Sequence, residues 1–170
     1  MKPQTSLLDT VLLIALSLGT ALILGIAVLL VPGTNARAHD RHHTMLKPDE
    51  LKWAQPATLP QGAQAAVLLG SPAKEGPFVL RLKFPAGFTV PPHRHSQDEL
   101  VTVISGAFGI GSGETLDAEA IRILPPGSFV HLPAGMPHYA RVEVETILQV
   151  NGMGPFDVVY IDPKDDPRRK

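Results

Sequence analysis

The sequence contains no cysteine. That excludes disulfides, thiolate metal sites, cysteine nucleophiles and a lipid-modified cysteine anchor. Neither sign of charge is in excess: Lys and Arg number 15 against 16 Asp and Glu, for a formal net charge of −1. No basic block runs along the chain, so the concentrated positive face that nucleic-acid binding requires is missing. No pair of arginines precedes the apolar N-terminal run, which argues against export of an already folded domain. No stretch reads as a long amphipathic helix, although Gly113–Ala120 has the composition for one short helical turn. What the chain has is proline and glycine, 17 and 15 residues spread along its length. Proline cannot donate to a sheet ladder and glycine punctuates turns, so the composition points to many short strands.

Four segments are expected. Residues 1–38 read as a signal peptide or membrane anchor. Val11 to Val31 is apolar and uncharged, Pro32-Gly33 breaks any helix, and Ala36-Arg37-Ala38 suits signal peptidase, leaving His39 as the new N-terminus. The run is also long enough to span a bilayer, which takes about 18 residues or more. Its flanking charges are adverse to export, because Arg37, Arg41 and Lys47 follow it. The expectation is export to the periplasm or beyond, with the uncleaved, membrane-anchored form as the alternative. Residues 39–50 read as a polar linker, and its His39, His42 and His43 have no carboxylate or rigid element to fix them on a metal. Residues 51–163 form the domain, and 164–170 a charged tail that is expected to fray.

Within the domain, short apolar runs alternate with Gly/Pro turns. Phe78–Phe84 alternates with period two: Phe78, Leu80, Leu82 and Phe84 on one face, Val79, Arg81 and Lys83 on the other. Further runs are Ala65–Leu69, Leu100–Ile104, Ile121–Leu124, Phe129–Leu132, the long Tyr139–Val150, and Phe156–Ile161. Gly87, Gly106, Gly127 and Gly135 stand where strands should reverse, and a tight reversal often needs positive φ. Strands at near-regular spacing indicate an all-β sandwich or barrel.

Histidine is scarce, with seven in the chain. Outside the linker they are His93, His95, His131 and His138. In a strand, His93 and His95 would project from one face with Cα atoms about 6.5–7 Å apart, close enough for two imidazoles to share an ion at bonds near 2.1 Å. Glu99 follows across the short Ser96-Gln97-Asp98 link. His138 comes much later, behind Pro133-Ala134-Gly135-Met136-Pro137, from a position that a barrel would bring opposite the first pair. Asp98 is the rival carboxylate, but alternation turns it away from Glu99. His131 is read as an outward or satisfied core histidine. Thr146 and Gln149 are polar residues in an apolar run, placed either in a pocket or at the surface.

The order Gly87, His93-Arg94-His95, Glu99, Gly106, then Gly127, Pro133-Ala134-Gly135, His138, resembles both signature motifs of the cupin superfamily at that family's spacing. The resemblance covers roughly Trp53 to Ile161. It implies a cupin double-stranded β-helix, or jelly-roll barrel, holding one divalent metal ion on the residues matching His93, His95, Glu99 and His138. One departure stands out. The second motif commonly ends in asparagine four residues after its histidine, and here that residue is Val142, so the pocket wall at that point is expected to be apolar.

Three imidazoles and one carboxylate suit Fe, Mn, Ni, Cu, Co or Zn. A six-coordinate ion would keep two positions for water or a small substrate that chelates through oxygen. Glu99 doubles as candidate general base. The leading expectation is a metal-dependent oxidoreductase of dioxygenase type. The alternatives are a non-redox Lewis-acid isomerase, lyase or hydrolase, and a non-catalytic cupin that binds or senses a small ligand. A small molecule is thus the expected partner. Nucleic acid is not expected, and the membrane enters only through an uncleaved N-terminal segment. A homodimer through sheet faces, with the Phe78–Phe84 strand contributing, is implied by the resemblance.

Overall fold

The computed structural model describes residues 43–169. The targeting or anchor segment, and the linker as far as 42, lie outside the described residues. Among those described, no helix is long and apolar enough to cross a membrane. Ten strands form: β1 (Gln64–Leu69), β2 (Gly76–Phe84), β3 (Thr89–Arg94), β4 (Glu99–Ser105), β5 (Phe108–Ser112), β6 (Arg122–Leu124), β7 (Phe129–Leu132), β8 (His138–Arg141), β9 (Thr146–Gly154) and β10 (Val159–Tyr160). They make two five-stranded antiparallel sheets, ordered β1-β2-β9-β4-β7 and β10-β3-β8-β5-β6. From β2 to β9 the chain repeatedly crosses between the sheets, giving the jelly-roll barrel that the resemblance implied.

The core is where alternation predicted it. Phe78 and Phe84 are buried, and Leu80 and Leu82 pack against the same cluster. The cluster is completed by Val101, Val103, Leu148 and Val150 from the same sheet and by Val90 and Phe108 from the sheet opposite. Phe84 stacks on Phe88 with ring centroids 4.8 Å apart. Gly87, Gly106, Gly127 and Gly135 all take φ between +76° and +85°, the left-handed conformation that a side chain disfavours.

Several local expectations fail for identifiable reasons. The run Tyr139–Val150 is two strands, because the chain leaves one sheet after Arg141 and joins the other at Thr146. Gly113–Ala120 contains turns and no helix. Of Phe156–Ile161, only Val159–Tyr160 is strand. The strand β5 was hidden by its glycines, Gly109 and Gly111. A Cβ at Gly111 would collide with the Tyr139 ring, so the missing side chain is a packing requirement and not a turn. The tail docks instead of fraying along its described length. Asp166 is buried and binds the Arg168 guanidinium at 2.7 Å, while Arg168 also donates to the Val158 carbonyl at 2.8 Å.

Two polar residues left open by sequence are now placed. Thr146 is fully buried, and its hydroxyl accepts from Ala107 N–H at 3.1 Å while lying within donating reach of the Val144 and Ala107 carbonyls. It therefore ties the β8–β9 crossover to the β4–β5 turn, away from any pocket. Gln149 lies on the outward face of β9 and contacts Asn151 at 3.4 Å.

Candidate metal centre

The site begins with two prolines. On β3, Val90 pairs with Ala140 of β8, and His93 pairs with His138. Three steps on β3 thus match two on β8, which defines a β-bulge. Pro91 and Pro92 occupy it, and neither can donate a ladder hydrogen bond. The extra residue restores parity, so Val90 and His93 both turn inward. His95 follows just beyond the strand and is buried as well. Ser96-Gln97-Asp98 then carries the chain to the other sheet, where Glu99 opens β4. The four residues singled out by spacing therefore converge from both sheets.

His93, His95 and His138 each offer a ring nitrogen within 4.8 Å of the others. Their ring centroids are 4.3 to 5.2 Å apart. Glu99 Oε2 lies 3.4 Å from His95 Nε2 and 3.5 Å from His138 Nε2. All four side chains are buried, none more than 8% exposed.

The second nitrogen of each ring decides what the first can do. His93 Nδ1 meets the Pro91 carbonyl at 2.8 Å, and His138 Nδ1 meets the Met136 carbonyl at 3.0 Å. His95 Nδ1 meets the carbonyl of Asp157. A carbonyl only accepts, so each Nδ1 carries hydrogen, and in the neutral rings each Nε2 presents a bare lone pair. His95 Nε2 is buried without a hydrogen-bond partner; in the neutral ring it and the Glu99 carboxylate are two acceptors facing each other at 3.4 Å. A lone pair orphaned beside a buried carboxylate is a place that favours a positive charge, whether a proton or a metal ion. Carbonyl-oriented imidazoles are also the usual support of a metal-ligating histidine. The donor set therefore fits a divalent ion.

Charge behaviour agrees. Burial, with His138 and His95 beside it, pushes the His93 pKa down to about 3, so that ring is neutral and free to ligate at ordinary pH. Burial works against the charged form of His95, but the Glu99 carboxylate outweighs it and raises that pKa. Burial alone would raise Glu99; the His138 and His95 imidazoles reverse this and hold it well below the usual carboxylate range. The quartet keeps the Glu99 negative charge indoors, where a positive charge, on His95 or on an ion, is favoured beside it.

The surroundings are apolar. A cavity of about 50 Å³ adjoins the histidines, walled by Leu59, Val90, Phe108, Ile110, Leu132 and Ala140. Val142 is not part of this wall. It packs 1% exposed in the core, with its N–H bound to the Phe88 carbonyl at 2.9 Å. The apolar lining expected there comes instead from neighbouring strands. Asp98 faces out, as alternation predicted, accepting from Ala134 N–H at 2.8 Å and meeting His131 Nε2 at 3.0 Å. These contacts fix the 133–137 loop beneath His138 and leave His131 exposed, outside the histidine cluster, at the rim of a larger opening beside it.

Sequence reasoning missed the support from the segment after β9. Phe156 stacks on His95 with centroids 4.3 Å apart and is backed by Phe78 at 5.1 Å. Asp157 gives its carbonyl to His95 and its carboxylate to Ser96 N–H at 2.8 Å. Gly152 makes room for this arrangement, since a Cβ there would press on the Phe78 ring at 2.9 Å. Backbone carbonyls carry no residue signature, so only the aromatic Phe156 offered a hint.

Comparison with solved structures gives the same fold. The polyketide cyclase RemF from Streptomyces resistomycificus matches with a TM-score of 0.61 at 16% identity, over 75% of this chain and 92% of that one. An RmlC-like cupin from Shewanella frigidimarina matches at 0.53 and 16% identity, over 66% and 91%. KdgF from Halomonas sp. matches at 0.51 and 23% identity, over 63% and 91%. No curated protein matches the chain by sequence. The model of one family, described as a domain of unknown function (DUF4437), matches residues 44–165. The chain belongs to this cupin-like family.

Proposed function

We propose that this DUF4437 protein binds one divalent metal ion through His93, His95, Glu99 and His138, and is an enzyme of dioxygenase type. Its substrate would be a small molecule that chelates through oxygen. The observation that carries the metal reading is the set of three Nδ1–H groups held on backbone carbonyls, which turns three Nε2 lone pairs onto one buried point. A bound ion would supply Lewis acidity and, if it were Fe, Mn, Ni or Cu, redox chemistry toward oxygen. The chain's own residues do the rest. The imidazoles fix the geometry, and the apolar walls exclude water and strengthen charge interactions inside. Among the described residues Glu99 is the one carboxylate lining the cavity; shifted off the ion, it would serve as general base. A site with so little acid–base equipment leaves most of the chemistry to the ion.

A second reading has its own support. Glu99 Oε2, within 3.5 Å of two imidazoles, is well placed as a base for non-redox proton transfer, and the cyclase RemF shares the fold. Elemental analysis of natively purified protein, followed by oxygen uptake over a panel of hydroxy-keto and dicarboxylate compounds, tests both. Oxygen consumption with Fe, Mn, Ni or Cu is expected. Turnover that persists under nitrogen with Zn or Co would transfer the assignment to a Lewis-acid lyase or isomerase. Absence of bound metal would end both. For location, the apolar run 11–31 and Ala36-Arg37-Ala38 support export, and N-terminal sequencing should find His39 first. An intact Met1 would assign the membrane-anchored form.

A further inference from the structure

The cavity beside the histidines, at about 50 Å³, has room for little more than one or two waters at about 30 Å³ each. A substrate must therefore keep most of its body elsewhere. A second opening of about 500 Å³ lies alongside, and Ile110 and Leu132 line both. It lies along β6 and β7, which end their respective sheets, so it opens on the unpaired side of the sandwich. Its volume is in the usual range for small-molecule sites, about 300–1,000 Å³.

The strand register shows what faces this opening. Ile110 of β5 pairs with Ala140 on one side and with Arg122 of β6 on the other. Directly opposed residues in antiparallel strands share a face. Ile110 and Ala140 line the histidine cavity, so Arg122 shares the inward-facing side of its edge strand, exposed at the rim of the opening, whereas Ile123 turns to the outer face. Arg122 makes no ion pair or side-chain hydrogen bond among the described residues, and it lines the larger opening. Met136 lines it too, and the Met136 carbonyl holds the His138 ring.

We propose that the substrate enters between β6 and β7 and that Arg122 binds a carboxylate on it. The apolar body would pack on Leu124, Leu132 and Met136 while the remaining oxygens reach the histidines. This deepens the function proposed above and rests on it for the reacting end. A guanidinium matches a carboxylate in bidentate geometry. The lining holds one arginine and no lysine, and its His131 is already engaged by Asp98 at 3.0 Å, which suits a single negative charge better than a phosphate dianion.

The test uses phenylacetate and its neutral isostere phenylacetamide as probes. Calorimetry is run on the full chain in mild detergent, both as purified and after chelation. Phenylacetate should bind about tenfold or more tightly than the amide in both forms, as a charge-assisted pair predicts. Arg122→Gln should reduce that ratio to about twofold or less without changing metal content, and Arg122→Lys should keep part of it. Equal affinities in the parent protein, no binding of phenylacetate, or a ratio that survives Arg122→Gln would overturn the proposal. An inward charge on an edge strand can also serve only to block edge pairing. In that case Arg122→Gln would self-associate in sedimentation with the ratio intact, which again overturns it. Failure of the metal assignment reads out separately, as protein purified without metal.

Discussion

Asp98 and Glu99 are adjacent carboxylates, each in contact with histidine, and they teach opposite lessons. Asp98 is exposed, accepts the Ala134 N–H and meets His131 at 3.0 Å. Glu99 is buried, with His95 and His138 at 3.4 and 3.5 Å. The exposed pair has the shorter contact but stands in water, which screens it and can replace either partner. The buried group has no water to fall back on, so its contacts set the charge state of the whole cluster. The distances alone would rank the two wrongly. What separates them is burial, together with the carbonyls that fix each ring around Glu99. Asp98 is a fastener for the loop behind His138, whereas Glu99 belongs to the buried cluster whose histidines could hold a metal ion.

The largest effects should come from the buried side. His93→Ala, His95→Ala and His138→Ala should each abolish stoichiometric metal in elemental analysis of purified protein. Affinity should fall by more than about a hundredfold, the upper end of what losing even an outer support costs. Full metal content in two of the three variants would dissolve the distinction between the centre and the surface pair. Glu99→Gln keeps the shape and removes the charge. A unit charge about 4 Å away is worth about 4 kcal/mol at an effective dielectric of 20, so the variant should lose at least about tenfold in metal affinity. Unchanged affinity in a metal titration would mean that the three histidines suffice.

Acid sharpens the comparison next. His93 titrates near 3 when folded and near 6.5 when unfolded. Between those values the unfolded chain binds more protons, so the stability of the chelated protein should rise with pH across this window. The His93 contribution to the slope approaches about 1.4 kcal/mol per pH unit. His95, whose pKa is raised, works the other way. Its stabilisation is full below about 6.5 and is lost as pH rises through its folded value. Urea melts of chelated protein from pH 4 to 7 measure the sum. His93→Gln, which removes the titrating ring, should flatten the acid limb, and an unaltered limb would show that His93 is not the group responsible.

Much of the centre was legible because its logic is carried by residue type and spacing. Scarce histidines, one carboxylate four residues beyond the first pair, and glycines at the reversals identified the four residues that the fold brings together. Other parts were hidden for physical reasons. Pro91-Pro92 reads as an interruption of a strand, yet the bulge it causes is what turns His93 inward. The carbonyls of Pro91, Met136 and Asp157 fix three ring orientations, and every residue has a carbonyl, so none stands out in a sequence. Val142 was assigned to the pocket wall by motif position but packs in the core, because a motif counts residues and does not register the crossover that follows Arg141. Arg122 looked like one surface charge among many until its pairing with Ile110 gave it a face.

The smallest effect belongs to the exposed carboxylate, and it is the sharpest control. Asp98→Asn keeps an oxygen for the Ala134 N–H and removes the charge that faces His131. The neighbouring N–H of Ala134, and then His131, hold the Asp98 carboxyl below its ordinary value. Solvent screens such a group, so its loss should lower the melting temperature by a few degrees at most. Metal content should match the parent protein, because the loop beneath His138 keeps its backbone bonds, including Gly135 N–H to the His95 carbonyl at 2.8 Å and Met136 N–H to the Pro133 carbonyl at 3.1 Å. If Asp98→Asn instead released metal as Glu99→Gln is expected to, the fastener and the centre would be one cooperative unit. The boundary of the site would then have to be drawn through the outer face of β4 and β7, and no longer at the buried quartet.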